Sequence, residues 1–204
     1  GNYHFDYKPE KCTLLVALES APTAVSADLT LPRVSLAAGV LVKGLVTDTR
    51  GAPVDDVNTS YFGSNGLQVL TWNDHTDPTG AYSAVVLPGD TYAIEYAPPV
   101  GLRLAGVKST GIAIGNNPPP LPTVQLPDGF FVTGKNVTLG GAPIFDVDIN
   151  FFLAGTTTKV YVSHHHTDAA GNFSIVSVPG TYDIRFEPPT SALAARRLLG
   201  IGVT

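Results

Sequence analysis

The sequence predicts an all-β protein made of tandem β-sandwich domains with about seven strands each. Apolar and polar residues alternate over short segments, as in Tyr182–Glu187, and this period of two is typical of half-buried strands. The 21 glycines and 17 prolines are spread along the 204 residues, where they favour turns between short strands. Gly51-Ala52-Pro53 returns about 90 residues later as Gly141-Ala142-Pro143, a spacing that indicates whole repeated domains.

The first 38 residues resemble the end of a repeat whose beginning is missing. Polar and apolar residues alternate over Tyr3–Pro9 as they do over Tyr182–Glu187, and Tyr3, Phe5 and Tyr7 are predicted to face inward. The apolar segments Leu14–Leu18 and Leu29–Leu36 follow as further strands. Residues 1–38 are therefore interpreted as trailing strands of an incomplete repeat.

Residues 39–128 form the one complete repeat. Strands are predicted over 40–46, over 56–62 and up to Trp72, and over 102–114 and 121–126. Between them lies a turn–strand–turn–strand motif at 76–99, in which Asp77 and Gly80 are typical of a β-turn. The residues of this motif expected in the core are Tyr92, Ile94 and Tyr96.

Residues 129–204 form a second repeat, whose motif recurs at 167–189. The corresponding core residues are Tyr182, Ile184 and Phe186. Leu121–Leu126 closes the first repeat, but the second repeat contains no matching segment. We therefore expect the second sandwich to lack its closing strand.

The shared motifs resemble those of the carboxypeptidase regulatory-like domain. They comprise Gly-Ala-Pro-Val/Ile, Thr-Asp-x-x-Gly-x-Tyr/Phe, Pro-Gly-(x)-Thr-Tyr and a final Pro-Pro. The resemblance covers both repeats and the N-terminal segment. It implies a transthyretin-like, immunoglobulin-like Greek-key sandwich related to the B-type repeats of bacterial surface adhesins. It also implies an extracellular or cell-surface location in arrays, stalks or accessory modules of secreted enzymes, and it does not imply catalysis.

Two groups of residues suggest metal binding, and no other cofactor is expected. In a strand, His164 and His166 would share a face, and with Asp168 they could bind a transition metal; the alternative is a polar strand end beside a turn. A calcium loop is the other hypothesis, although an aspartate that caps its own turn explains the same residues. The calcium residues are Asp74, Asp77, Gly80, Asp168 and Gly171.

Two further features concern the protein surface. Asn58-Thr59-Ser60 and Asn136-Val137-Thr138 are N-glycosylation sequons, at Asn58 and Asn136. Trp72, Tyr61 and Phe62 could form a stacking platform for a carbohydrate or an envelope polymer, although packing into the core is the alternative for aromatic residues on strands.

The sequence favours a structural protein over an enzyme. It contains no nucleophile elbow, no phosphate-binding glycine loop and no zinc-hydrolase spacing. The net charge of −5 without a basic cluster argues against nucleic acid as a partner. No apolar segment is long enough to cross a membrane. A segment of a cell-surface fibre or stalk is the leading interpretation, and a carbohydrate- or envelope-binding module or an accessory domain of a secreted enzyme is the alternative.

Strand sharing between copies is the predicted mode of assembly. Leu29, Leu31, Val34 and Leu36 form a strand of the type that the second repeat lacks, so each copy could donate a strand at one end and accept one at the other. Such a contact builds a head-to-tail filament unless it closes a ring. The competing interpretation is a longer tandem array, in which further repeats of the same precursor supply the missing strands.

Overall fold

The computed structural model describes residues 1–10, 13–71, 74–189 and 201–203. Within these residues the chain forms 17 β-strands and no helix, which confirms the predicted all-β class. None of the described residues forms a helix that could cross a membrane. The chain divides into two compact units, one made of Gly1–Thr47, Ala52–Glu95 and Lys108–Val124, the other of Asp48–Gly51, Tyr96–Val107 and Gln125–Thr204.

The N-terminal segment forms two small antiparallel pairs. Strand β1 (Asn2–Tyr3) pairs with β4 (Thr23–Ala24), and β2 (Asp6–Tyr7) pairs with β3 (Leu18–Glu19). The predicted strand Tyr3–Pro9 is thus split in two, because each half pairs with a different partner. Tyr3 is 53% exposed instead of facing inward.

The first sandwich contains seven strands in two sheets. Its strands are β5 (Val40–Asp48), β6 (Asn58–Phe62), β7 (Gln68–Val69), β8 (Ala81–Val86), β9 (Asp90–Ala97), β10 (Val107–Ile114) and β11 (Val124–Leu126). One sheet has the order β10-β9-β6-β7 and the other the order β11-β5-β8. Strands β5 and β8 are antiparallel, with Val42 opposite Ala84.

The second sandwich repeats this arrangement with one strand fewer among the described residues. Its strands are β12 (Phe130–Lys135), β13 (Asp148–Leu153), β14 (Lys159–Val160), β15 (Asn172–Ser177), β16 (Tyr182–Glu187) and β17 (Ile201–Val203). The sheet β14-β13-β16-β17 corresponds to the four-stranded sheet of the first sandwich. The other sheet contains only β12 and β15, with Val132 opposite Ile175.

Alternation along β9 and β16 turns the expected residues toward the two cores, but the residues on the two strands are buried to different degrees. Tyr92, Ile94 and Tyr96 on β9 are buried, at most 2% exposed. In the second sandwich the core is centred on Ile149, Phe151, Val162 and Ile175. Tyr182, Ile184 and Phe186 on β16 pack against that cluster but are only partly buried.

A buried threonine and an aspartate turn explain why the motif folds in the same way twice. Thr76 Oγ1 accepts a hydrogen bond from Val57 N (2.8 Å) and donates one to Val54 O (2.7 Å), which fixes the motif beside β6. Asp77 Oδ1 then accepts the amide of Thr79 (2.8 Å), so the side chain closes its own turn. The second motif uses Thr167 in the same role, with Val147 N at 2.9 Å from its hydroxyl oxygen.

Candidate functional site: an open sheet edge and a histidine cluster

Strand β11 covers one edge of β5 in the first sandwich. The amide of Leu121, just before β11, donates to the carbonyl of Lys43 at 2.8 Å. Beyond the other end of β11, Asp128 accepts a hydrogen bond from the hydroxyl of Thr49 at 3.3 Å. These two contacts indicate that β11 runs parallel to β5. Leu126 on β11 is fully buried, so this short strand completes both the sheet and its apolar face.

The corresponding edge of β12 has no neighbour among the described strands. The missing cover is reflected in the exposure of equivalent residues. Val42 on β5 is 0% exposed, whereas Val132 on β12 is only partly buried. Gly44 is buried, whereas Gly134 is exposed. Among the residues that the structure describes, the second sandwich therefore presents an unpaired strand edge beside a partly exposed core.

The predicted donor segment has the sequence pattern of β11 but no strand pairing in the described part of the chain. Leu31-Pro32-x-Val34-x-Leu36 repeats the spacing of Leu121-Pro122-x-Val124-x-Leu126. Residues 29–36 form no strand there, although a strand was expected from the sequence. Leu29 is 49% exposed, and Leu31, Val34 and Leu36 are partly buried.

The histidines do not lie as the sequence predicted. His164 adopts a left-handed backbone conformation (φ 54°), so the run of three histidines is not an extended strand and its residues do not alternate between two faces. His164 Nε2 lies 2.7 Å from the carbonyl oxygen of Pro98 in the same compact unit. His165 and His166 instead group with Asp148, and their ligand atoms lie within 4.8 Å of one another.

Asp168 is not part of this group. Its Oδ1 accepts the amides of Ala170 (2.9 Å) and Asn172 (2.8 Å), so it caps its own turn. These bonds, led by the Asn172 amide, lower the pKa of Asp168 below its ordinary value. The pKa of Asp77 is lowered in the same way, chiefly by the hydroxyl and amide of Thr79. Calcium binding at these turns remains a hypothesis.

The glycosylation and stacking residues occupy different environments. The Asn58 amide contacts His75 Nε2 at 3.0 Å, and Asn136 is partly buried, with its backbone amide bonded to Gly171 O. Tyr61 is fully buried, which corrects its proposed role as a sugar platform: its ring has no face open to a ligand. Phe62 is partly buried and lies under the Lys108 ammonium at 5.5 Å, and Trp72 lies outside the described residues.

Sequence reasoning missed Asp148 and His165, although a comparison of the two repeats contains the signal. Asp56-Val57-Asn58 in the first repeat becomes Asp146-Val147-Asp148 in the second. A change from an amide to a carboxylate, in a repeat that also gains a run of histidines, indicates altered chemistry at a position whose neighbours in sequence are otherwise repeated.

Neither a family model nor a curated protein matches this chain. Among solved structures, the chain is similar to the Bacillus anthracis TIE protein (12% identity, TM-score 0.36), over 92% of this chain and only 36% of that one. It is also similar to a streptococcal ancillary pilin (13% identity, TM-score 0.34), over 100% of this chain and 72% of that one. Similarities of this size carry no inference about function.

Proposed function

We propose that this chain is a structural subunit of an extracellular, cell-surface fibre or stalk, assembled head to tail by strand sharing. The observation that carries the proposal is the open edge of β12, at the place where the first sandwich carries β11. Unpaired strand edges next to apolar surface favour pairing with another strand, and folded proteins usually cover them. An edge that no described strand covers, in one of two otherwise similar sandwiches, fits a site for a partner strand.

The partner strand in this proposal is Leu29–Leu36 of a second copy. Its Leu-Pro-x-Val-x-Leu pattern matches the strand that occupies the equivalent edge of β5. In that sandwich the Lys43 carbonyl receives the Leu121 amide, and the equivalent carbonyl on β12 belongs to Thr133. The amide of Leu31 would donate to Thr133, and Leu36 would take the buried place that Leu126 has in the first sandwich.

Burial of apolar side chains contributes free energy to this contact. Fully burying a leucine or valine contributes about 1.5–3 kcal/mol, and added main-chain hydrogen bonds fix the register. Leu31, Val34 and Leu36 are already partly buried, so each contributes only part of that value. Association also costs translational and rotational entropy. The balance favours a moderate contact that is repeated along a fibre.

Two finer assignments belong to the same proposal. Both sandwiches are assigned to the carboxypeptidase regulatory-like kind, supported by the paired threonine locks at Thr76 and Thr167 and the aspartate turns that follow them. The chain is assigned no catalytic activity. Its role would be mechanical, as a repeated module outside the cell.

The test uses one variant at each end of the proposed contact. Val34→Asp places a charge on the donor strand, and Thr133→Pro removes a main-chain donor from the open edge of β12 without breaking its pairing with β15. Each variant alone should abolish concentration-dependent growth in light scattering. An equimolar mixture should stop at dimers, because Val34→Asp copies still accept and Thr133→Pro copies still donate.

Leu139→Asp is the matched control, because Leu139 is fully exposed and the substitution adds the same charge to the surface. It should assemble like the parent. Growth by either single variant at the parental rate would sink the proposal. A parent chain that stays monomeric but binds a synthetic peptide of residues 29–36 would instead support the tandem-array interpretation, in which another repeat supplies the strand.

A further inference from the structure

The structure assigns a divalent transition-metal site to Asp148, His165 and His166 in the second sandwich. Zinc is the ion whose chemistry fits best, because two imidazoles and one carboxylate are common zinc ligands. The three residues come from two segments, the start of β13 and the loop before β15. A bound ion would therefore add a further link between this loop and the sheet. The site is independent of the open edge of β12.

The loop is already held in place without a metal. Ile149 N donates to His165 O at 2.8 Å, and Thr167 N donates to Val147 O at 3.2 Å. The hydroxyl of Thr167 is buried and bonded on both sides, to Val147 N and to Ile144 O. The ligand side chains are thus carried by backbone whose position does not depend on the ion.

The hydrogen bonds of His165 leave its second nitrogen available to a metal. Its Nδ1 lies 3.0 Å from the carbonyl oxygen of Val162, and only an N–H can make that bond. In the neutral ring, Nε2 therefore carries a lone pair, and it faces Asp148 Oδ1 at 3.5 Å.

Asp148 presents a matching unpaired oxygen. Its Oδ2 accepts the side-chain amide of Asn150 at 3.0 Å. Its Oδ1 is buried and has no hydrogen-bond partner among the described residues. A buried carboxylate oxygen that faces an imidazole lone pair is costly when nothing lies between them. A cation between the two atoms would satisfy both.

His166 is oriented by a second carboxylate. Its Nδ1 lies 2.9 Å from Asp146 Oδ1, so a proton on Nδ1 leaves Nε2 as the ligand atom. Metal-binding histidines commonly donate their other N–H to a carboxylate or a carbonyl, and His165 and His166 show both forms. Asp146 is a positioning residue in this arrangement and does not itself bind the ion.

The first sandwich contains the same scaffold in a closed form. His75 Nδ1 lies 2.7 Å from Asp56 Oδ1, as His166 does from Asp146. There, however, the Asn58 amide lies 3.0 Å from His75 Nε2 and donates to its lone pair. The residue at the position of His165 is Asp74, whose carbonyl accepts Thr59 N at 2.7 Å. The amide satisfies the imidazole in the first repeat, whereas Asp148 cannot donate and leaves the second site open to a cation.

Calorimetric titration of the untagged full chain with Zn²⁺ tests the assignment, and Co²⁺ absorption in the visible range reports the coordination. We expect one ion per chain and a higher melting temperature with zinc. Asp148→Asn copies the closed form of the first sandwich. Asp148→Asn and His165→Ala, as separate variants, should each weaken zinc binding at least about a hundredfold. Asp146→Asn, which acts only through His166, should weaken it by about tenfold.

His164→Ala and His75→Ala are the matched controls, since both remove a histidine outside the site. They should bind zinc like the parent. The reciprocal change, Asn58→Asp with Asp74→His, should give the first sandwich a second zinc ion per chain. The assignment fails if the parent takes up no zinc, or if His164→Ala reduces binding as much as His165→Ala does.

Discussion

Leu126 and Leu36 hold the same position in the same six-residue pattern, so replacing each with alanine should separate folding from assembly. Leu126 on β11 is 0% exposed in the first sandwich. Removing a fully buried leucine side chain costs about 2–5 kcal/mol of the free energy of unfolding, which includes the cavity left behind. Leu36 is only partly buried within its own chain, so Leu36→Ala should change that free energy by no more than about 1 kcal/mol.

Leu36→Ala should act on association instead. If Leu36 becomes buried against β12 of another copy, its loss removes about 1.5–3 kcal/mol from the contact, less the part that is already buried. This corresponds to a dissociation constant raised by about tenfold to a hundredfold. Leu126→Ala should leave the donor and acceptor surfaces intact and change the dissociation constant little.

Hydrogen exchange measured by mass spectrometry provides the folding readout, since peptides that cover β5 and peptides that cover β12 report the two sandwiches separately. Light scattering over a range of concentrations provides the association readout. The reasoning is refuted if Leu36→Ala destabilises the monomer as much as Leu126→Ala. It is refuted equally if Leu36→Ala assembles with the parental dissociation constant.

Three further outcomes are expected from single substitutions. Gly80→Ala should lower the melting temperature more than Gly51→Ala does. Both glycines have positive φ, a conformation that costs other residues about 1–2 kcal/mol. Only at Gly80 would the new Cβ also meet a backbone carbonyl. Phe151→Ala should cost about 3–5 kcal/mol in denaturant titrations, and Phe186→Ala less, because Phe186 is partly exposed. Asp77→Ala should lower the melting temperature at pH 7, with a difference from the parent that shrinks below pH 3.8: its folded-state pKa is depressed, so its stabilisation is present above the ordinary value and is lost as the pH falls through the folded one. Equal melts for the two glycine variants, equal costs for the two phenylalanine variants, or a pH-independent aspartate effect would contradict the respective argument.

The sequence alone predicted the strands and turns of the two motifs, because their causes are local, whereas it misjudged the strands of the N-terminal segment. A period of two identifies the inward face of β9, and the Asp77 turn requires only neighbouring residues. The degree of burial was harder to predict, since it depends on what lies across the sheet. Phe186 alternates like Tyr96, yet it is partly exposed, and it packs against Phe173, which lies in a sheet that has only two described strands.

The histidine cluster could not be predicted from the spacing of its residues in the sequence, because the backbone angle φ of one histidine changes which side chains share a face. The left-handed φ of His164 breaks the alternation on which the pairing of His164 with His166 depended. Asp148 lies 17 residues before His165 and 18 before His166, and it reaches them through a bridge to His166, a contact that requires the fold. The difference between Asn58 and Asp148 was visible in the sequence, but its meaning depends on which imidazole atom faces it.

The unequal edges of the two sandwiches have a consequence for any assembly built as proposed. Because every copy donates with residues 29–36 and accepts with β12, one terminus of a growing polymer always presents a free peptide segment and the other always presents an open sheet edge. The polymer is therefore polar, and its two termini can grow at different rates. A short peptide with the Leu-Pro-x-Val-x-Leu pattern would stop elongation at the accepting terminus alone, while a chain that lacks a competent segment at residues 29–36 would end the polymer at the donating terminus.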